Sequence, residues 1–362
     1  MRFEPGFVRS LKEDLSDVDE EYVRRFRRSG GLDEQTLLSL VANQHNVADK
    51  CDAEHPESRD VTDYAHLTPS HAILGERAVK NGEIAYIVLA GGAGTRIGKP
   101  KAFITLPKLG ISLVANKLLQ SVLVSHDNEI LNVPTFFMTQ PGMMTQFAEH
   151  LNCMSPTPQC TVFEQFESYR LLPDNRLDFV SPGVPNMYPC GHGDVGAALI
   201  ESGVLSDNPR IKHVIIVNVD NVLASPDMAI LGKHIMSGVD VTCEVVKSAE
   251  SDKGGRLAWV NGKLQIIEDF RLDERFVKDA QYCNTNTMIV SSSALLCQIS
   301  WRWHRVRKII ENKIVVQHER LLQQYTEEFD TSYVLVPRDR RYVPIKNEDD
   351  LWLADKALNG NR

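Results

Sequence analysis

No run of about 18 apolar residues occurs anywhere in the chain, so no membrane-spanning helix is expected. The opening residues, MRFEPGFVRSLKEDLSDVDEEY, are charged throughout and lack the short apolar core of a secretory signal, so none is expected. Cysteine is scarce and unpatterned. The seven cysteines are odd in number, and none are spaced C-x-x-C, which argues against a full disulfide framework and a structural zinc site. A reducing cytoplasm fits that usage, and several cysteines lie in apolar stretches as small core residues. Excess positive charge is also missing: 40 Lys+Arg against 48 Asp+Glu leave a net −8, and the isoelectric point is about 5.8. Such a chain is poorly suited to nucleic acid. It can still bind a nucleotide, because one phosphate site needs only a few local cations and backbone N–H groups.

What is present is ordinary globular material. The 362 residues are 43% hydrophobic and 24% charged, enough for a sizeable core. Residues 1–48 read as two amphipathic helices, the first over roughly 6–28, broken at Gly30-Gly31, with Asp33 capping the second and Leu37, Leu38, Leu40 and Val41 on its apolar face. Residues 49–70 are polar without a period and read as a surface linker. Short apolar runs then follow: AYIVLA (85–90), VPTFFMT (133–139), HVIIVNV (213–219) and VDVTCEVV (239–246). Helical patterns at 112–125, 143–150 and 195–205 lie between them. Strands alternating with helices predict a doubly wound α/β core with a mostly parallel sheet. Residues 256–270 read as an antiparallel hairpin turning at Asn261-Gly262. The predicted division is a helical extension and linker (1–70), a nucleotide-binding core (71–330) and a closing segment (331–362).

The most informative stretch is Leu89-Ala-Gly-Gly-Ala-Gly-Thr-Arg-Ile-Gly-Lys-Pro-Lys101, where a buried strand runs into a glycine-rich turn. Glycines there admit positive φ and close approach of a ligand, and their N–H groups can face phosphate oxygens. The spacing is one residue short of a P-loop, and Gly98 falls one place late for G-x-G-x-x-G, so both motifs are rejected. Arg96, Lys99 and Lys101 cluster just behind the glycines, which suits a polyphosphate.

Other positions carry chemistry of their own. Asp220 ends the strand HVIIVNV, and in an open α/β sheet that end faces the ligand crevice. A carboxylate there can hold Mg²⁺ against a triphosphate; the bland alternative is a strand-end carboxylate capping a loop. Asn218 and Asn221 flank it within reach of sugar hydroxyls. In Gly191-His192-Gly193-Asp194 the aspartate reads as the N-cap of the following helix. His192, between two glycines, reads as a site residue. Gln165 offers both a donor and an acceptor on one amide, and by itself it is an anonymous polar residue. The basic run Arg302–Lys308, interleaved with Trp301 and Trp303, is read as a solvated helix face.

Six motifs occur in a fixed order: Phe163-Glu-Gln165, Tyr188-Pro-Cys-Gly-His-Gly-Asp194, Asn218-Val-Asp-Asn221, Lys253-Gly-Gly255, Asn284-Thr-Asn286 and Val343-Pro-Ile-Lys346. Together with the glycine-rich loop they resemble the eukaryotic-type UDP-sugar pyrophosphorylase family over roughly residues 70–355. The resemblance implies transfer of uridylyl from UTP to a sugar 1-phosphate, with Mg²⁺ as cofactor. Glucose 1-phosphate is favoured by His192. An N-acetylhexosamine 1-phosphate enzyme is the alternative, and a catalytically weak nucleotide-binding protein a third. It implies that Leu89, Ala90, Gly91, Gly92, Gln165 and Gly191 hold the nucleotide. His192, Asn218, Val219, Gly255 and Asn286 would line the sugar phosphate. Lys101, Lys346 and Arg96 would serve the phosphates, and Asp220 the metal. The relatives' C-terminal β-helix is not expected, and a monomer or weak homo-oligomer is.

Overall fold

The structure, a computed structural model, describes residues 6–27, 32–43, 50–92, 94, 97–128, 133–154, 159–310 and 312–360. Arg96 and the Gly30-Gly31 break lie outside the described residues.

The apolar runs form strands. After β1 (Thr62–Asp63) come β2 (Ile84–Leu89), β3 (Thr135–Thr139) and β4 (Thr161–Glu164). An annex follows, made of β5 (Glu167–Tyr169), β6 (Phe179–Ser181), β7 (Val184–Pro185) and β8 (Met187–Pro189). Next are β9 (His213–Asn218), β10 (Val241–Lys247), β11 (Gly255–Val260), β12 (Lys263–Glu268), β13 (Tyr282–Ser291), β14 (His304–Ile310), β15 (Lys313–Glu319) and β16 (Thr331–Leu335). Among the described residues the main sheet runs β1-β16-β10-β13-β9-β2-β3-β4, with the hairpin β11–β12 attached to β13. Along that path only β13 is antiparallel to its neighbours. The doubly wound α/β expectation therefore holds. Every residue of β2 is buried, as a strand covered on both faces requires.

Among the described residues the helices of eight or more residues are α1 (Gly6–Ser16), α2 (Glu20–Arg27), α3 (Glu34–Ala42), α4 (Pro69–Lys80), α5 (Leu113–Asp127), α6 (Met144–Asn152), α7 (Val195–Ser202) and α8 (Met228–Ser237), with a further one at Asp349–Gly360. Side-chain alternation splits the sheet into two cores. Tyr86 and Val88 face one with α4, α5, α6 and α8. Ala85, Ile87 and Leu89 face the other with α7. Ser112 caps α5, its hydroxyl accepting from the N–H of Ala115 at 3.1 Å. Asn261 and Gly262, at φ 53° and 73°, form the turn of the β11–β12 hairpin.

Three expectations are corrected. The long first helix is two helices, because at residues 17–19 the backbone leaves the helical ladder and the N–H of Asp19 bonds to the carbonyl of Gly183. These N-terminal helices rest on the annex, Val8, Leu11 and Leu37 meeting Tyr169, Leu171 and Leu177. The 49–70 stretch is no surface linker throughout: β1 pairs in parallel with β16 at the rim of the main sheet. The basic run 302–308 is not a helix, since His304–Ile310 forms a strand hydrogen-bonded to β15. Alternating Arg and apolar residues suit a half-exposed ribbon better than a helical face.

The segment after β16 is anchored by a buried pair. Arg341 Nε donates to Glu244 at 3.0 Å, and a second guanidinium nitrogen donates to the carbonyl of Ser225 at 2.9 Å. Removing one partner of a buried pair strands the other charge, so Arg341→Ala should lower unfolding stability by about 3–5 kcal/mol, read from urea midpoints. Arg9→Ala, in the exposed pair with Glu13, should leave the midpoint unchanged. Equal effects would remove Arg341 as an anchor.

Candidate active site

The carboxyl ends of β2 and β9 lie side by side, Leu89 opposite Asn218. Past β2 the chain turns through the glycine-rich loop. Gly91 is tight against Gln165: a Cβ on it would lie 2.9 Å from the Gln165 amide nitrogen. The Lys101 side chain lies over Gly92, at 3.3 Å from where a Cβ would be. Gly94 has φ 61°, and a Cβ there would collide with the carbonyl of Lys99. Ala90 is fully buried, with its N–H bonded to Met138, so only its carbonyl side is left for a ligand. Lys101 opens one short turn (Lys101–Phe103) rather than a long helix. The amides of this loop are therefore not backed by a helix dipole.

Across the crevice, Lys101 Nζ donates to Asp220 and, at 3.0 Å, to the carbonyl of Ile345. The N–H of Ile345 returns to the carbonyl of Asp220 at 2.9 Å. The next residue is Lys346, whose own N–H is held by Asp350. Asn221 lines the smaller cavity, but its amide is turned to the chain: it is 1% exposed, donates to the carbonyl of Arg341 and accepts from the N–H of Val343. Beneath this turn, the buried Lys117 on α5 donates to the carbonyls of Asn221 and Ala224 and to the Gln120 side chain. Burial pulls its pKa well below that of free lysine. Three acceptors, one per ammonium proton, work in the opposite direction.

The Gly-His-Gly-Asp loop closes another side. Gly191 has φ 106°, and a Cβ on it would lie 2.5 Å from the carbonyl oxygen of Arg320. His192 Nδ1 accepts the N–H of Leu322 at 2.9 Å. A nitrogen that accepts carries no proton, so the neutral ring has its hydrogen on Nε2. Burial lowers this imidazole to about 4. Asp194 stands at the N-cap position of α7, but its side chain makes no cap bond. Its carboxylate instead pairs with Arg320, both side chains wholly buried, and accepts the N–H of Phe166 at 2.9 Å. Burial pushes the Asp194 carboxyl up to about 6, while Arg320 and the Phe166 N–H pull it down.

Two adjoining cavities result. The larger, about 1,050 Å³, is lined by Leu89, Gly91, Gly92, Lys101, Gln165, Gly191 and Val219, with Lys308 and Glu319 of the β14–β15 ribbon as a further wall. The smaller, about 210 Å³, is lined by Gly255, Glu268, Asn284, Asn286, Gln323 and Lys346. His192, Asn218 and Asp220 line both. Asn286 reaches this junction through a bulge in β13: its φ is 56°, the register with β10 shifts beside it, and its amide donates to Asn218 at 2.8 Å. Bulges re-aim side chains in this way, and Asn tolerates the left-handed region. A third cavity, about 710 Å³, lies behind the 248–256 turn and shares no lining residue with the junction.

The motif readings did not single out several residues of this site. Glu268 ends β12 in the smaller cavity, its carboxyl pushed up to about 7 by burial, with Asp269 adding to the rise. Its position at a strand end was a usable signal. Arg320 and Glu319 carried none, since their partners are remote in sequence or across a ribbon, while Lys308 belongs to the basic run read as a solvated face. For a divalent cation, no group of three or more His, Cys, Asp or Glu stands together among the described residues. Asp220 would be a single protein ligand. That suits Mg²⁺, which takes one or two carboxylates and completes its shell with phosphate oxygens and water. No helix among the described residues is long and apolar enough to cross a membrane.

A doubly wound sheet whose parallel strands end on a glycine-rich turn and a lone carboxylate defines an α/β protein with its crevice at the topological switch. The family described as UTP–glucose-1-phosphate uridylyltransferase matches residues 34–359, and the chain belongs to that family. The UTP–glucose-1-phosphate uridylyltransferase of Encephalitozoon cuniculi is 26% identical over 97% of this chain and 79% of its own length. Over the curated relatives it matches, the chain spans 64–79% of their length. A variant of UDP-glucose pyrophosphorylase from Leishmania major, solved with UDP-glucose, has a TM-score of 0.74 at 19% identity over 97% of this chain and 79% of that one. The UDP-N-acetylglucosamine pyrophosphorylase of Trypanosoma brucei, solved with an inhibitor, gives 0.70 at 19% identity over 99% and 80%.

The His192 geometry is checkable by ¹⁵N NMR. At pH 6 the ring should be neutral with its proton on Nε2, where a solvent-exposed histidine would be largely charged. A ring that protonates near 6.5 would overturn this assignment.

Proposed function

We propose that the protein joins UTP and a sugar 1-phosphate, glucose 1-phosphate first among them, into a UDP-sugar with release of pyrophosphate. The observation that carries this reading is the junction: two cavities of different lining meet at His192, Asn218 and Asp220. The larger suits a nucleotide. Gln165 beside Gly91 and Gly191 offers a donor, an acceptor and close backbone for a uracil edge. The smaller suits a hexose: Glu268, Asn284 and Asn286 offer acceptors and donors for hydroxyls. The phosphates of both substrates then come together at the junction.

The nucleophile, a phosphate oxygen of the sugar 1-phosphate, is already an anion. It attacks the α-phosphorus in line, and no general base is needed. The barrier lies in bringing two anions together and in the charge on the leaving group, so positioning and electrostatics supply the catalysis. Lys101 is fixed before any substrate arrives, by Asp220 and the Ile345 carbonyl, and stands where the α-phosphate would lie. Lys346, one residue past that carbonyl, faces the smaller cavity and would bridge to the sugar phosphate. His192, neutral with Nε2–H, would donate to a phosphate oxygen without adding charge. Asn286 and Asn218, already paired, would orient the sugar. Mg²⁺ held with the triphosphate at Asp220 would screen phosphate charge. Arg96 would grip the β- and γ-phosphates. A cytoplasmic setting belongs to this reading and is supported by the odd count of seven cysteines, none spaced C-x-x-C.

Purified protein should release pyrophosphate from UTP with one of a panel of sugar 1-phosphates, glucose 1-phosphate and N-acetylglucosamine 1-phosphate among them. Turnover of none would end the reading. Lys101→Ala should lower kcat by on the order of 10²–10³, as for loss of one preorganised charge stabiliser. Glu268→Gln should raise KM for the sugar 1-phosphate and leave KM for UTP nearly unchanged. Equal rises would place Glu268 outside the sugar contacts.

A further inference from the structure

One buried ion pair has no part in the chemistry just described, yet it touches two of the segments that line the larger cavity, the one after β4 and the Gly-His-Gly-Asp loop. Asp194 accepts Arg320 Nε–H on one oxygen and the N–H of Phe166 on the other. Phe166 follows Gln165 directly, so this carboxylate fixes the link between β4 and β5 that carries the uracil-facing amide. The Arg320 main chain holds the opposite loop: its N–H donates to the carbonyl of Cys190 at 2.9 Å, and its carbonyl accepts the N–H of Gly193 at 3.1 Å. A Cβ on Gly191 or Gly193 would collide with that same backbone. Two residues on, Leu322 N–H sets the ring of His192. The guanidinium is walled by aromatic rings, with centroids at 5.1 Å for Trp303 and 5.6 Å for Phe166 and Trp301.

We propose that Arg320 is a positioning residue that, through Asp194, holds Gln165, Gly191 and His192 in one register, so that uracil recognition and phosphate contact are aligned by a single buried pair. This rests on the reading of the larger cavity as the UTP site. A buried pair is a weak source of net stability, because desolvating two charges offsets their attraction. Its effect here lies in geometry. Two carboxylate oxygens and one guanidinium fix directions that an apolar contact would leave loose, and Arg320 touches no substrate itself.

The test separates placement from folding. In Arg320→Met/Asp194→Leu an apolar pair replaces the charges, and such exchanges are commonly neutral for stability. The double variant should still unfold in one cooperative transition, at a midpoint lowered modestly because the Phe166 N–H loses its acceptor. Its kcat/KM for UTP should fall by about 10²-fold, since small misplacements are that costly. Preference for UTP over CTP should narrow by on the order of tenfold, because the amide that reads the base has lost its register. A folded double variant with unchanged kcat/KM and base preference would overturn the proposal. If that variant does not fold, Arg320→Lys decides by the same two readouts: it keeps the charge on Asp194 and should show a partial loss of both, while unchanged values would overturn the proposal. The unaltered protein is the control. Its failure to turn over UTP would count against the proposed function, and calorimetric binding of UTP and CTP to each form would then carry the comparison.

Discussion

The turn that follows β9 is the constraint on which the site depends. Asp220 offers its carboxylate to the crevice and its carbonyl to Ile345, while Asn221 uses its whole amide to hold Arg341 and Val343. Lys117 grips the carbonyls of the same turn from below. A segment more than a hundred residues downstream is thereby laid along the end of the central strand. Lys346 arrives beside Lys101 because backbone bonds bring it there. Without that turn the two lysines would belong to unrelated surfaces.

The charges of this acidic chain are distributed by depth. Lys101 and Lys346 line the crevice, whereas Lys117, Arg320 and Arg341 lie under its walls and bond to carbonyls or carboxylates of loops. The buried cations are bound to the protein's own oxygens and are unavailable to a ligand. What they set is where the exposed cations stand. The net charge of −8 is thus compatible with a polyanion site, because few groups at one end of one sheet determine the local field.

Much of the fold was legible because its signals are local. Continuous apolar runs gave buried strands, Asn261-Gly262 gave a hairpin, and Asp33 and Ser112 sit at helix starts. Failures came where a distant partner overrides a local pattern. The first helix breaks because Gly183 takes the N–H of Asp19. Asp194 stands in an N-cap position yet turns to Arg320, 126 residues away. The basic run at 302–308 alternates in a way that either a helix face or a ribbon can accommodate, and only β15 decides. At the site, the residues drawn from ordered motifs gather around one crevice, with Arg96 outside the described residues. Arg320 and Glu319 were missed because nothing adjacent in sequence marks them, and Glu268 although it ends a legible strand. Asn221 was misread because an asparagine beside a ligand and one bonding a loop are the same letter.

The two residues of β1 form the outermost strand of the main sheet, beyond β16. A bare edge strand presents unpaired N–H and C=O groups to any other extended chain. β16 leads directly into the segment that delivers Lys346, so an intruding strand there would compete for the register of the active centre. The short piece at 62–63 thus acts as a selvedge. Trimming the chain back to α4 would remove more than an N-terminal accessory: it would expose a templating edge next to the segment that carries Lys346, and disorder of that segment and self-association would appear together.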